Sequence, residues 1–109
     1  MRALHLLRHA EAQWQSPGPG GDHARPLSAR GVQQARGVGA HLRTARIDLI
    51  LTSSATRTRQ TAEALGLGVP ILSRDEIYNA GANQILQQLL SISEGYIAVV
   101  VIGHAPGIP

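Results

Sequence analysis

The sequence predicts an α/β fold, a three-layer sandwich in which a mostly parallel sheet lies between helices, and three observations carry this. Four short apolar runs recur along the 109 residues, at 3–7, 47–52, 69–72 and 97–102. Three of the four are near-continuous rather than alternating, the pattern of strands covered on both faces. Helical patterns fill the intervals, and strands alternating with helices build parallel sheets. With neither an internal repeat nor a break in composition, residues 1–109 read as a single domain with one modest core.

The first run ends abruptly, in "LLRHAEA", on Arg8 and His9. A core strand has no packing reason to stop on an arginine and a histidine side by side. Residues 15–22, "QSPGPGGD", are too rich in glycine and proline for regular structure and read as a mobile loop. Ser28 then stands where an N-cap belongs, before a helix whose apolar side is Val32, Ala35, Val38 and Leu42, spaced by three to four. The strand at 47–52 leads to a helix over 56–65 that stops at Gly66. After the strand at 69–72, a third helix runs from about Asn83 through Ile85, Leu86, Leu89 and Leu90. The last strand opens into "GHAPGIP", a strand-to-helix turn without its helix, so the chain is expected to be incomplete at its C-terminus.

The apolar content of 43% and charged content of 16% are those of a globular chain, with no apolar span of membrane length. The N-terminal apolar stretch is broken at His5 and Arg8, too early for an export signal. Without cysteine there is no disulfide, thiol nucleophile or thiolate metal site, and the cytoplasm is the expected location. His5, His23 and His41 lack ligand spacing with one another or with carboxylates, so no metal and no cofactor is expected; His5 reads as packed in its strand. The net charge of +3 comes with ten arginines and no lysine, which favours anionic partners and phosphate above all. A nucleic-acid interface is disfavoured because the arginines are scattered and the aromatics are Trp14, Tyr78 and Tyr96 alone.

In a parallel sheet, ligands bind beyond the carboxyl ends of the strands. Arg8 and His9 follow the first strand, Ser53 and Ser54 the second, Gly103 and His104 the last. If these strands are parallel, one edge gathers them all.

These residues carry a resemblance. "LLRHAEA" resembles the R-H-G/A motif of the histidine phosphatase (phosphoglycerate mutase-like) superfamily, and "LTSSATRTRQTAEAL" is similar to its S-x-x-x-R-x-x-Q-T-A block, with Ser53, Arg57, Gln60 and Thr61 on matching positions. "VIGHAPG" resembles the third block. "DHARPLSARGVQQA" is similar to a stretch of SixA-type phosphohistidine phosphatases, small members without large cap insertions. Two departures stand out, Ser54 where a proline or similar residue is usual and Ala105 where the family has asparagine. The resemblance implies a phosphoglycerate mutase-like sandwich, catalysis through phosphorylated His9, a phosphate site of Arg8, Ser53, Arg57 and His104, and no metal. Its domain would end here after the third motif. It also implies a general acid, for which Glu76, Asp22 and Glu11 are candidates.

The residues themselves support that chemistry. A covalent phosphoryl transfer needs a nucleophile neutral near pH 7 and donors for the equatorial oxygens. Positive neighbours around His9 disfavour its imidazolium form and bind the phosphoryl group. Ser53 lacks a nucleophile elbow and reads as a phosphate-side donor. Arg25 has two readings that stay open: it orders the loop through Asp22, or it helps hold the phosphorylated partner. The expected substrate is a phosphohistidine domain of a protein. The alternatives are a small phosphorylated metabolite, such as a sugar phosphate in a phosphatase or mutase reaction, or a non-catalytic arginine-rich module binding phosphate or nucleic acid.

Overall fold

In the computed structural model, which describes residues 1–92, 95–105, 107 and 108, one four-stranded sheet carries the chain. The elements in order are β1 (Ala3–Arg8), α1 (Ala29–Leu42), β2 (Leu49–Ser53), α2 (Thr56–Ala64), β3 (Ile71–Arg74), α3 (Ala82–Ser91) and β4 (Ala98–Gly103), with short 3-10 turns at Gly21–Ala24, Arg43–Ala45 and Asp75–Ile77. The strand order is β1-β4-β2-β3 and every pairing is parallel.

Alternation along the central strands builds the two cores. Leu49, Leu51, Val99 and Val101 pack with Ile85 and Leu89 of α3 and with Ile77 and Ile108. Ile50, Val100 and Ile102 point the other way, against Ala62 and Leu65, with Val38 and Leu42 of α1 beside them. The result is helix, sheet, helix: the expected three layers. Each fully buried side chain of this size contributes about 1.5–3 kcal/mol.

Local chemistry sets the helix limits as expected at two ends. Ser28 Oγ accepts the Gly31 N–H at 3.0 Å and caps α1. Beyond α2, Gly66 takes a left-handed φ of 63°, a conformation glycine adopts without cost. Two glycines of α1 allow backbone contact that no other residue would. A Cβ on Gly31 would sit 2.0 Å from the Glu11 carbonyl oxygen, and one on Gly39 would sit 1.9 Å from that of Leu65. Through Gly31, α1 rests directly on the segment that follows His9.

The structure corrects the reading of the strands in two ways. Only β2 and β4 are buried throughout, whereas β1 and β3 alternate because they lie at the sheet edges. Leu4 and Leu6 of β1 are thus exposed, at 44% and 52%. The strands expected to begin at Ile47 and Val69 begin two residues later, at Leu49 and Ile71. Residues 15–22, expected as loop, contain bends and the start of the 3-10 turn at Gly21–Ala24. In "GHAPGIP" the Ile108 N–H donates to the His104 carbonyl at 2.9 Å, closing one turn after β4. Pro106 and Pro109 of that motif lie outside the described residues. Among the described residues no helix is long and apolar enough to cross a membrane.

Candidate active site

Register alone brings the motifs together. Arg8 at the end of β1 pairs with Gly103 at the end of β4, and β4 lies between β1 and β2. The His9 N–H extends the ladder to the Gly103 carbonyl at 3.1 Å. The residues after three neighbouring strands therefore meet at one edge, and the His9 and His104 rings lie 5.4 Å apart between centroids.

The half-buried His9 has a defined tautomer. Its Nδ1 is 2.7 Å from the Ala10 carbonyl, which can only accept, so Nδ1 carries the hydrogen and Nε2 keeps its lone pair. Burial holds the imidazole pKa below its usual 6.5, and the charges of Arg57, Arg8 and Arg25 push the same way against the Ala10 hydrogen bond. Ala10 is itself held, since Thr61 Oγ1 accepts its N–H at 3.2 Å while donating to the Arg57 carbonyl at 2.7 Å. Gln60 Oε1 accepts the Leu27 N–H at 2.8 Å. The glutamine and threonine of the second motif thus pin the two chain segments that frame the site.

Arg57 and His104 form the floor, at 3% and 4% exposure. Arg57 Nη2 donates to His104 Nδ1 at 3.2 Å, so His104 is neutral, and its Nε2–H donates to Ser53 Oγ at 2.8 Å. Burial, together with the Arg57 and His9 charges, drives the His104 pKa down to about 4. Ser53, expected as a phosphate-side donor, lies against His104. It is fully buried behind His104, with its Oγ accepting from His104 and from the Ala55 N–H at 3.1 Å. Arg8 is exposed and lines a cleft of about 460 Å³ together with His9.

The three carboxylates expected as acids have different surroundings. Asp22 takes Arg57 twice, Nη1 to its carbonyl at 2.8 Å and Nη2 to its carboxylate at 3.1 Å. Its carboxylate also accepts from Tyr78 Oη at 2.5 Å and from Arg25 Nε at 3.0 Å. The Tyr78 hydrogen bond and the two arginines lower the Asp22 pKa to about 2, so this carboxyl is ionised at neutral pH and has no proton to give. Glu11 accepts from Ser28 Oγ at 3.2 Å and lies 3.7 Å from Arg30. Glu76 is exposed in the Asp75–Ile77 turn.

Arg25 also donates to the Gln13 carbonyl at 2.8 Å, so it does order the loop. Sequence reasoning passed over Tyr78 and gave His23 no role at the site. The Tyr78 ring stands edge-on to both His104, at 5.5 Å, and His23, at 4.9 Å, and His23 Nε2 lies 2.9 Å from Ser54 Oγ. Tyr78 belongs to none of the quoted motifs, and His23 occupies an unspecified position of the "DHARPLSARGVQQA" stretch; the available signal was that Tyr78 shares the "RDEIYNAG" segment with Glu76. The buried Arg57 Nε has no hydrogen-bond partner among the described residues. Among the described residues no three His, Asp or Glu side chains are grouped as around a metal ion.

Arg8 and His9 at the end of β1, Arg57 at the start of α2 and His104 after β4 thus stand at the carboxyl end of one open parallel sheet. The chain belongs to the histidine phosphatase superfamily (branch 1), whose family model matches residues 4–100. It is 31% identical over 102 residues to an uncharacterised protein of Mycobacterium tuberculosis, covering 92% of this chain and 63% of that one. Among solved structures it is similar to a proposed phosphohistidine phosphatase SixA from Nakamurella multipartitia, with a TM-score of 0.89 and 39% identity over 99% of this chain and 62% of the other. It is also similar to the protein histidine phosphatase SixA complexed with tungstate, at a TM-score of 0.81 and 26% identity, covering 94% of this chain and 69% of that one. The chain thus spans about three fifths of the length of the first two relatives.

Proposed function

We propose that this chain carries the catalytic residues of a metal-independent phosphohistidine phosphatase acting on a phosphorylated protein. The observation that carries the reading is the His9 tautomer. Hydrogen bonding of Nδ1 to the Ala10 carbonyl leaves a lone pair on Nε2, and burial beside three arginines keeps the ring neutral near pH 7.

In this reading His9 Nε2 attacks phosphorus and the bond to the leaving group breaks, giving phospho-His9. Water then attacks that phosphorus, releases inorganic phosphate and restores the neutral imidazole. Arg8, Arg57 and His104 surround the equatorial oxygens, each well-placed donor being worth roughly 3–4 kcal/mol to the transition state. A relative is complexed with tungstate, an oxyanion. For His104 to donate from Nδ1, its tautomer must change when the oxyanion arrives. Asp22, ionised and locked on Arg57, serves as an orienting carboxylate rather than the acid. A phosphohistidine that already carries a proton on its other ring nitrogen leaves as neutral imidazole when the P–N bond breaks, so this reading needs no carboxyl acid. A cytoplasmic location is part of the proposal and is compatible with a chain free of cysteine.

The test is substrate competition in the full-length protein. A protein phosphorylated on histidine should be hydrolysed with much higher kcat/KM than phosphoserine peptides or sugar phosphates, with no change on adding EDTA. A preference for a sugar phosphate would favour the small-molecule reading, and loss of activity with EDTA would end the metal-independent one.

A further inference from the structure

Trp14, the single tryptophan of the chain, is 94% exposed. A ring of this size left in water beside a reactive site forfeits about 2–3 kcal/mol of available burial. It is held there by a fixed backbone. Ala12 bridges Leu27 in antiparallel fashion, the Gln13 N–H donates to the Pro26 carbonyl at 2.9 Å, and Arg25 Nη1 donates to the Gln13 carbonyl at 2.8 Å. Trp14 is thus the next residue after a pinned segment.

Its position joins it to the chemistry. Trp14 and Arg25 line the 460 Å³ cleft that also contains Arg8 and His9, and the same two residues line a second cleft of about 560 Å³ bounded by Asp22. Trp14 stands where the two clefts meet. The one carboxylate lining the first cleft, Glu11, is engaged by Ser28 and Arg30, and the Asp22 carboxylate is shared by Arg25 and Arg57, so with Arg8 the basic groups at that rim outnumber the acidic ones. A phosphoryl group on a small leaving group, seated on His9, would cover only the part of the indole that faces the first cleft, whereas a folded surface would cover the part that faces the second as well.

We propose that Trp14, flanked by Arg8 and Arg25, is the docking anchor for the protein that bears the phosphohistidine: a folded surface with an apolar side chain beside the phosphorylated residue and carboxylates around it. The inference rests on the phosphatase reading above and adds the partner surface to it. Exposed tryptophan with arginine beside it is the composition of an interface hot spot, and the positive rim suits an acidic partner. This also gives Arg25 the second of its two roles without removing the first.

The experiment separates docking from chemistry by using two substrates of full-length enzyme: a histidine-containing protein phosphorylated with phosphoramidate, and free phosphohistidine. Trp14→Ala should lower kcat/KM on the phosphoprotein by about tenfold or more, through KM, and leave free phosphohistidine unchanged. Trp14→Phe should recover most of the loss. A second arm needs no turnover: in His9→Ala, the fluorescence component that is lost on adding Trp14→Phe should shift to the blue and resist acrylamide quenching when the phosphoprotein is added. Equal losses on both substrates, no loss on either, or unchanged fluorescence would each overturn the docking role. If neither substrate is hydrolysed by the wild type, the phosphatase reading fails, while the fluorescence arm still decides the docking surface.

Discussion

The Arg57 guanidinium is clamped by Asp22, with Nη1 on the backbone carbonyl at 2.8 Å and Nη2 on the carboxylate at 3.1 Å. The buried cation in the family's motif position is thus already answered by an anion of the same chain. Tyr78 holds that anion from the other side. In the proposed site, an incoming phosphoryl group would meet the arginine and a competing carboxylate together.

From this follows the expected behaviour of Asp22→Asn. The substitution keeps the shape and the backbone carbonyl but removes the charge, so tungstate should bind about three- to tenfold more tightly, roughly 1 kcal/mol for a half-exposed group. Isothermal titration calorimetry reads this directly. Weaker binding would mean that the carboxylate's hold on Arg57 outweighs its repulsion of the oxyanion.

Thr61→Val tests the chain of contacts behind His9. The buried hydroxyl accepts the Ala10 N–H, and the Ala10 carbonyl fixes the His9 ring. Removing it should cost about 1 kcal/mol, or about 4–8 °C in Tm, and should lower kcat although Thr61 touches no substrate. A normal kcat with a lowered Tm would show that the His9 ring does not depend on this support.

His104 governs an expected loss of stability in mild acid. Its folded pKa of about 4 lies below the 6.5 of the unfolded chain, so between these values the unfolded state takes up a proton that the folded state refuses. Stability should therefore fall as pH drops from 6.5 to 4, by roughly 3 kcal/mol if His104 acts alone. His9, also lowered, adds in the same direction. Asp22 acts in a lower window, its contribution being lost from 3.8 down to about 2. Thermal melts across this range should show a slope that His104→Gln flattens; an unchanged slope in the variant would refute the assignment.

The sequence already contained the sheet and the meeting of its motifs, because strand-end positions are local and parallel pairing carries them to one edge. It did not contain the strand order. Leu4 and Leu6 read as core because apolarity reports a preference for burial, while the place of β1 at the sheet edge is decided by pairing with β4, nearly a hundred residues away. The same limit moved the starts at Ile47 and Val69: Ile47 is buried without joining the ladder, and the chain before Ile71 turns at Gly68 with φ of 70°. In the site, Ser53 could be placed next to His104 but not behind it. Tyr78 reaches Asp22 across 56 residues, and no spacing rule announces such a pair.

The central claim is that His9 carries the phosphoryl group, and the most direct measurement is rapid-quench labelling of the full-length protein with a phosphohistidine substrate bearing labelled phosphate. The mechanism requires an acid-labile, base-stable phosphate on His9 during turnover. It also requires that His9→Ala, at a half-buried strand end, abolish both label and turnover while leaving the circular dichroism spectrum unchanged. Acid-stable label on Ser53, or turnover with no labelled protein at all, would contradict it.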